Sequence, residues 1–162
     1  MRPFRSLAIA APALLFVACL GNDTITNPIL GTPIDCETLA TTLAASEPTL
    51  TTTASGLKYR DQLVGTGPTV AAGQRVAVRY SGCLTDGTKF DERNDAAPAL
   101  LFTVSATPLQ VIPGFDEGVI GMKVGGRRQL VIPPALGYGN VANGEIPPNS
   151  TLVFTVDLVA TQ

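Results

Sequence analysis

Residues 110–126 read Gln-Val-Ile-Pro-Gly-Phe-Asp-Glu-Gly-Val-Ile-Gly-Met-Lys-Val-Gly-Gly, and this stretch decides the fold. Its apolar residues follow the spacing of one helical face, and they are Ile112, Phe115, Val119 and Met122. Pro113 suits the first helical position, where its missing N–H costs nothing. Gly125 and Gly126 are typical of a helix end. The stretch therefore predicts a short helix from Pro113 to the glycine pair, with Lys123 near its end.

Two glycines weaken this helix. Gly118 and Gly121 each cost about 1 kcal/mol relative to Ala in a helix interior. A helix this short would not hold in isolation, because helices below about 12 residues are marginal in water. We therefore expect the rest of the chain to surround the helix and hold it in place.

The composition favours a loop-rich β or α+β domain. The 162 residues include 16 Gly and 13 Pro, only 6% are aromatic, and Trp is absent. His is also absent, which excludes a His-based triad, a His general base and His metal ligands. The formal net charge is -2 and no basic run occurs, so nucleic acid is not an expected partner. The sequence predicts no cofactor and no metal site.

The N-terminus is typical of a targeting segment. Arg2 and Arg5 give it a positive start, and the apolar run that continues to Leu20 is too short to span a bilayer, which takes about 20 apolar residues. We expect residues 1–18 to be a signal peptide that is absent from the mature protein.

The end of that segment resembles the lipobox of bacterial lipoproteins. Residues 15–19 read Leu-Phe-Val-Ala-Cys, although Phe16 stands where Leu is usual. This resemblance implies that Cys19 is lipidated and becomes the new N-terminus, whereas the alternative is an ordinary secretory peptide with a chance Cys. Because Leu20 is not the Asp that retains lipoproteins at the inner membrane, we expect an exported protein on the periplasmic side of the outer membrane.

Residues 19–54 are predicted to form a tether. They are rich in Thr, Asn, Pro and Gly and show no strand alternation. Within them a short helix is possible, in which Cys36, Leu39, Ala40 and Leu43 share one face.

Residues 55–162 are predicted to form one domain. Alternating apolar residues and turn signals predict strands at 57–64, 75–81, 100–104, 129–132 and 152–158, and a return strand at 88–91 after Asp86-Gly87. Loops are expected at 92–98 and 135–148. Several strands and one helix without a βαβ rhythm predict an α+β fold, in which a curved antiparallel sheet wraps around one short central helix.

A disulfide between Cys36 and Cys83 is expected. Export places the domain in an oxidising compartment, and lipidation of Cys19 leaves two cysteines. Since Tyr80 is predicted to face inward, strict alternation places Cys83 on the outer face of the sheet. The helix face that carries Cys36, Leu39 and Leu43 can dock there. The alternative is two free thiols.

Five motifs in order resemble the FKBP-type peptidyl-prolyl isomerase family, over roughly residues 55 to 160. They are Val78-Arg79-Tyr80-Ser81-Gly82 with Asp86-Gly87-Thr88-Lys89-Phe90-Asp91, Val111-Ile112-Pro113-Gly114-Phe115-Asp116-Glu117-Gly118, Gly125-Gly126-Arg127-Arg128, Gly137-Tyr138-Gly139, and residues 146–154. No single motif is specific for the family, but the five motifs together in this order are.

The resemblance implies a prolyl isomerase with a shallow apolar pocket for a proline residue. By position the lining residues are Tyr80, Phe90, Asp91, Val111, Ile112, Phe115, Tyr138, Ile146 and Phe154. In the family, the backbone N–H at the position of Ile112 bonds a ligand carbonyl, and the hydroxyl of Tyr138 would bond another. The implied partners are proline-containing segments of exported client proteins and macrolide inhibitors of the FKBP class.

The sequence departs from the family pattern at several positions. Phe115 replaces the Trp that often forms the pocket floor, and Glu145 stands where small members have an apolar residue. Many members place an Arg after the Phe-Asp pair, and the nearest Arg in this sequence is Arg93. Asp91 is either a structural carboxylate, bonded to the hairpin or to Tyr80, or acts directly on the substrate carbonyl.

These departures keep a second function open. The first hypothesis is a lipid-anchored isomerase; the second is a binding module that holds proline-containing chains but turns them over poorly, which Phe115 and Glu145 would favour. A purely structural lipoprotein has little support, because aromatic residues recur at the family's pocket positions.

Overall fold

The computed structural model describes Cys36 and residues 50–162. The expected signal peptide, the lipidation site at Cys19 and the tether residues Leu39 to Leu43 lie outside the described residues. Within the described part of the chain, no helix combines the length and the apolar character needed to cross a membrane.

The described residues form one antiparallel sheet, a short α-helix and a 3-10 turn. The strands are β1 (Thr51–Thr52), β2 (Lys58–Leu63), β3 (Arg75–Leu84), β4 (Lys89–Arg93), β5 (Leu100–Thr103), β6 (Arg127–Ile132) and β7 (Leu152–Thr161). The helix α1 spans Pro113–Val119, and the 3-10 turn spans Pro134–Leu136. The seven strands run in the order β1-β2-β6-β7-β3-β4, with β5 paired to β3. The α+β fold predicted from the sequence is confirmed.

Strand β3 organises the sheet. It pairs with β7 along its whole length on one side, and with β5 and then β4 on the other. Its inward residues Val76 and Val78 are buried in the core together with Phe115 and Val119 of α1. The sheet thus curves around the helix, as the alternation of apolar residues in its strands requires.

The glycines of the helix allow it to lie directly on β6. A Cβ atom at Gly114 would lie 2.5 Å from Cγ2 of Ile132, and one at Gly118 would lie 2.5 Å from Cδ1 of Leu130. Any larger residue at these positions would push the helix away from the sheet. The close packing that Gly118 allows offsets its low helix propensity. Contact with β6 therefore stabilises a helix that would be too short to form alone.

The prediction that the helix continues to Gly125 is wrong. Helix α1 ends at Val119, and Gly121 has a positive φ of 77°. The chain beyond it bonds instead to Val70, whose N–H donates to Met122 O at 2.8 Å and whose carbonyl accepts from Gly121 N–H at 3.0 Å. Tertiary pairing thus outweighs a further helical turn.

Arg128 fixes this early helix end. Its Nη1 donates to the carbonyls of Gly118 and Ile120, at 3.1 and 3.0 Å. The guanidinium is itself held by Asp61, at 2.7 and 3.1 Å, and lies over the ring of Tyr59. Carbonyls that the helix leaves unpaired therefore find a charged donor on the sheet.

The sheet extends beyond several of the predicted boundaries, since β3 continues to Leu84, β6 begins at Arg127 and β7 continues to Thr161. Thr51–Thr52 pair with β2, so the sheet begins before the domain start expected at residue 55. Strand β4 continues to Arg93, although its polar residues predicted a loop there. It lies at the edge of the sheet, where polar side chains such as Glu92 can face solvent while the backbone stays paired with β3.

The outer face of the sheet carries the disulfide. Cys36 and Cys83 are bonded, with their Cα atoms 5.7 Å apart, and both are buried. Val131 and Val153 complete this small apolar cluster, and Leu50 packs against it. Cys83 thus lies on the face opposite the helix, where strict alternation from Tyr80 places it.

Candidate functional site

One cavity of about 540 Å³ opens between the start of α1, the concave face of the sheet and the loop that follows the 3-10 turn. All nine residues that the sequence analysis placed in a pocket line this cavity. The remaining lining residues are Leu100, Gln110, Asn143, Gly144 and Glu145. Cys36 and Cys83 belong to the other face of the sheet and take no part in it.

Phe115 forms the floor of the cavity. Three rings meet it edge to face, with centroid distances of 5.5 Å to Tyr80, 5.2 Å to Phe154 and 5.9 Å to Phe102. Phe115 is only 3% exposed, so its ring is fixed on all sides except the one toward the cavity. The floor is therefore apolar and rigid.

Phe90 and Phe154 form one wall, and Gly82 makes room for them. The two rings contact edge to face at 5.5 Å. A Cβ atom at Gly82 would lie 2.8 Å from both rings, so only glycine lets them sit directly on β3. The Gly that follows Tyr80-Ser81 in the sequence motif thus has a packing reason.

Tyr80 and Asp91 form the polar corner of the cavity. The Tyr80 hydroxyl donates to Oδ2 of Asp91 at 2.6 Å, and Oδ1 accepts from the backbone N–H of Glu92 at 2.8 Å. Burial, and second the hydrogen bond to Asp91, raises the pKa of Tyr80 to about 12, whereas Arg93 acts to lower it. Arg93 is the cross-strand partner of Tyr80, and its side chain reaches this corner, where it acts on the Tyr80 hydroxyl.

Val111 and Ile112 form the edge of the cavity at the start of the helix. The backbone there is held by Gln110, whose Oε1 accepts from Thr103 N–H at 2.9 Å. The Ile112 carbonyl accepts from the Phe115 and Asp116 N–H groups, at 3.0 and 3.1 Å. The Ile112 N–H itself has no acceptor within the described residues, so it is available to a bound molecule.

Tyr138 stands at the opposite edge, on a closed loop. The Gly139 N–H donates to Pro134 O at 2.9 Å, and the Asn149 N–H donates back to Gly139 O at 2.7 Å. Tyr138 is 36% exposed, and its hydroxyl finds no hydrogen-bond partner in the part of the chain described. It is thus a second donor open to a ligand.

Ile146 closes the cavity from the same loop. It is 4% exposed and ends a tight turn that begins at Asn143. Gly144 and Glu145 lie at the tip of this turn, and sequence reasoning missed Asn143, Gly144, Leu100 and Gln110 as lining residues. Asn143 and Gly144 lie in a loop that follows no periodic pattern, so only their place directly before Ile146 could have indicated them.

The site can bind and orient, but it holds no set of groups for acid–base or metal chemistry. No group of three or more Cys, Asp or Glu side chains among the described residues could hold a metal ion. The cavity offers an aromatic floor, two open hydrogen-bond donors and two carboxylates, of which Asp91 is already bonded to Tyr80. Such an arrangement suits an apolar ring flanked by peptide carbonyls.

Comparison with known proteins agrees with this geometry. Residues 67–159, more than half of the chain, match the family model described as FKBP-type peptidyl-prolyl cis-trans isomerase. The chain is 45% identical over 105 residues to the FK506-binding protein of Neisseria meningitidis serogroup B, which covers 64% of this chain and 94% of that protein. It is 49% identical over 104 residues to FK506-binding protein 4 of Chaetomium thermophilum, covering 64% of this chain and 21% of that protein.

A solved structure is also similar. The crystal structure of FkpA from Escherichia coli has 37% sequence identity and a TM-score of 0.65, and the match covers 78% of this chain and 57% of that chain. The chain spans less than a third of the length of the FK506-binding proteins 4 of Chaetomium, Mycosarcoma and Dictyostelium.

Proposed function

This chain belongs to the FKBP-type peptidyl-prolyl cis-trans isomerase family, and we propose that it catalyses the cis–trans isomerisation of X–Pro bonds. The observation that carries the proposal is the cavity of about 540 Å³ with an aromatic floor and open donors at two edges. The family in general binds proline-containing substrates and macrolide inhibitors, and we extend both ligand classes to this cavity.

Isomerisation of an X–Pro bond requires only that the protein bind the twisted amide more tightly than the planar one. Rotation about an X–Pro bond crosses a barrier of about 18–20 kcal/mol that amide resonance sets. No covalent bond breaks and no proton moves, so the absence of His is no obstacle. The twisted amide has lost its resonance and needs less hydration than the planar form, so an apolar cavity binds it more tightly. Each 1.36 kcal/mol of that preference is worth about tenfold in rate.

The cavity residues divide this task. The proline ring packs on Phe115, between Tyr80 and Phe154, which keeps water from the rotating bond. The Ile112 N–H and the Tyr138 hydroxyl donate to carbonyls of the bound segment. Holding one carbonyl while the other side of the X–Pro bond turns lets the enzyme favour the transition state over either planar isomer.

We assign Asp91 a positioning role. Both of its oxygens already accept hydrogen bonds, one from the Tyr80 hydroxyl and one from the Glu92 N–H. This supports the structural alternative over a direct action on the substrate carbonyl, because a carboxylate oriented by two donors holds the Tyr80 ring against the floor.

A protease-coupled assay with the full chain tests the proposal. The cis–trans rate of a short peptide with an apolar residue before proline should rise in proportion to protein concentration. Cooperative unfolding in denaturant serves to show that the protein tested is folded. If the folded chain does not raise the isomerisation rate of any prolyl peptide above the uncatalysed rate, the isomerase proposal fails and the site is a binding module.

We also propose that the protein is an exported, lipid-anchored folding factor. The positive start, the short apolar run and the Ala18-Cys19 junction support cleavage after residue 18, lipid at Cys19 and a tether over residues 19–54. Its clients would then be exported proteins on the periplasmic side of the outer membrane. Mass spectrometry of the membrane fraction decides this, since an unmodified Cys19 or another mature N-terminus contradicts it.

The pairing of Cys36 with Cys83 supports an oxidising location. A disulfide across a separation of 47 residues stabilises the fold by about 4 kcal/mol on the chain-entropy model. Thiol counting under denaturing, non-reducing conditions should find neither of these cysteines reactive. Two reactive thiols would contradict the bridge.

A further inference from the structure

Two carboxylates line the cavity, and no Lys or Arg is among the lining residues. One of them, Asp91, is occupied by the Tyr80 hydroxyl and the Glu92 N–H, with Arg93 also acting on that corner. The other, Glu145, is exposed and has no hydrogen bond or ion pair with any residue that the structure describes. The two carboxylates therefore differ in what they leave open to a bound molecule.

The position of Glu145 is fixed although its side chain is exposed. The Asn143 N–H donates to Ile146 O at 3.0 Å, and the Ile146 N–H donates back to Asn143 O at 2.9 Å. Gly144 supplies the positive φ of 57° that this two-residue turn needs. Since Ile146 is buried, the turn is anchored and presents the carboxylate at the mouth of the cavity. Because the backbone of the turn is anchored, only the side chain of Glu145 has to be ordered when a ligand pairs with it.

We propose that Glu145 determines specificity, by making the cavity prefer prolyl segments with a Lys or Arg next to the proline. This inference rests on the proposed function and names the substrate class for the same site. The floor accepts any proline ring, so discrimination must come from the mouth, where a flanking side chain passes the unpaired carboxylate. A cation there gains an ion pair, whereas an anion meets a like charge.

The expected effect is modest, because the pair would be exposed. Such pairs change affinity by a factor of about two to five, and salt screens them. On the full chain, kcat/KM should be about two to five times higher for a Lys-containing peptide than for its Gln counterpart, and lower again for the Glu counterpart. The difference should shrink between about 0.01 M and 0.15 M salt.

Two peptide series test the inference, with Lys, Gln or Glu placed directly before or directly after the proline. Glu145→Gln should abolish the preference in the series that shows it, and Glu145→Lys should reverse it. Asp86→Asn is the matched control: it removes the same charge from the exposed turn between β3 and β4, which is not among the lining residues, and should leave the preference intact.

The outcomes separate this inference from the proposed function. If an apolar-Pro peptide is isomerised but neither series shows a preference, or Glu145→Gln leaves the preference unchanged, Glu145 does not set specificity. If the folded chain isomerises no peptide, the isomerase proposal fails, and binding of fluorescent Lys and Glu peptides decides the inference instead. Equal affinity for the two peptides would then overturn it, whereas tighter Lys binding lost in Glu145→Gln would support it.

Discussion

The floor and the mouth of the cavity are built in different ways. The floor, taken together with the two rings that pack on it, consists of Phe115 on α1, Tyr80 on β3 and Phe154 on β7, which contact one another edge to face at the hydrophobic core. The mouth consists of Tyr138 and Glu145, which are exposed and lie on a loop held by backbone hydrogen bonds.

This difference separates stability from selectivity. A floor residue cannot change without disturbing the core, because its neighbours in the cavity are also its neighbours in the fold. A mouth residue can change at little cost, since it contacts mainly solvent until a ligand arrives. We therefore expect substitutions in the floor to affect folding and activity together, and those in the mouth to affect activity alone.

The largest expected effect is that of Phe154→Ala. The ring is 5% exposed and contacts Tyr80, Phe90 and Phe115, so its loss should reduce the free energy of unfolding by about 3–5 kcal/mol and abolish most activity. Denaturant unfolding measures this. Tyr138→Ala is the matched change at the mouth and should stay within about 0.5 kcal/mol of the native protein. Equal destabilisation by both variants would remove the distinction.

A smaller effect is expected for Asp91→Asn. Asn keeps one acceptor but loses the charge that orients Tyr80, which should lower the free energy of unfolding by about 1 kcal/mol. If Asp91 acts only by positioning Tyr80, kcat/KM should fall no further than in Tyr80→Phe, which removes the same hydrogen bond from the other side. A much larger rate loss in Asp91→Asn, with unchanged stability, would show a direct electrostatic role.

Tyr138→Phe should have a still smaller effect, confined to the mouth. It removes one open donor worth about 0.5–1 kcal/mol to the bound state, so kcat/KM should fall several-fold while the unfolding midpoint stays unchanged. Parallel steady-state and unfolding measurements check both parts. A shift of the midpoint would mean that this hydroxyl supports the fold.

The smallest expected effect is that of pH on activity near neutrality. The pKa of Tyr80 is raised to about 12, mainly by burial, so its phenol stays neutral and no step needs a titrating base. Activity should therefore be flat between about pH 6 and 8.

The raised pKa of Tyr80 also links the stability of the fold to alkaline pH. Since it favours the protonated phenol in the folded state, its contribution to the free energy of unfolding is complete below pH 10 and is lost between about pH 10 and 12. Tyr80→Phe should weaken the alkaline loss of stability seen in pH-dependent unfolding.

The floor was more predictable than the mouth for a physical reason. Helical spacing placed Phe115, and strand alternation placed Tyr80 and Phe154, because periodic elements impose their period on buried residues. Asn143 and Gly144 lie in a tight turn outside any strand or helix, and a turn signal does not show which cavity the turn will line, because no periodic pattern of buried residues extends through it. The sequence could name Glu145 only as a departure from the family pattern.

The helix shows the same limit. Its start follows from Pro113 and the apolar spacing, which are local signals. Its end depends on Arg128 and on pairing with Val70, contacts from outside the helix that compete with local propensity. The two-residue strand Thr51–Thr52 is too short to show any alternation, and it forms only because β2 offers a free edge.

The central claim is that proline binds on the aromatic floor and turns there. The most direct test follows the cis and trans signals of a Leu-Pro peptide by NMR exchange spectroscopy, with the full chain present at low concentration. We predict exchange that rises in proportion to protein, together with saturable shifts of the Tyr80 and Phe115 ring signals. Exchange at the uncatalysed rate, or catalysis without any response from those two rings, would contradict the account.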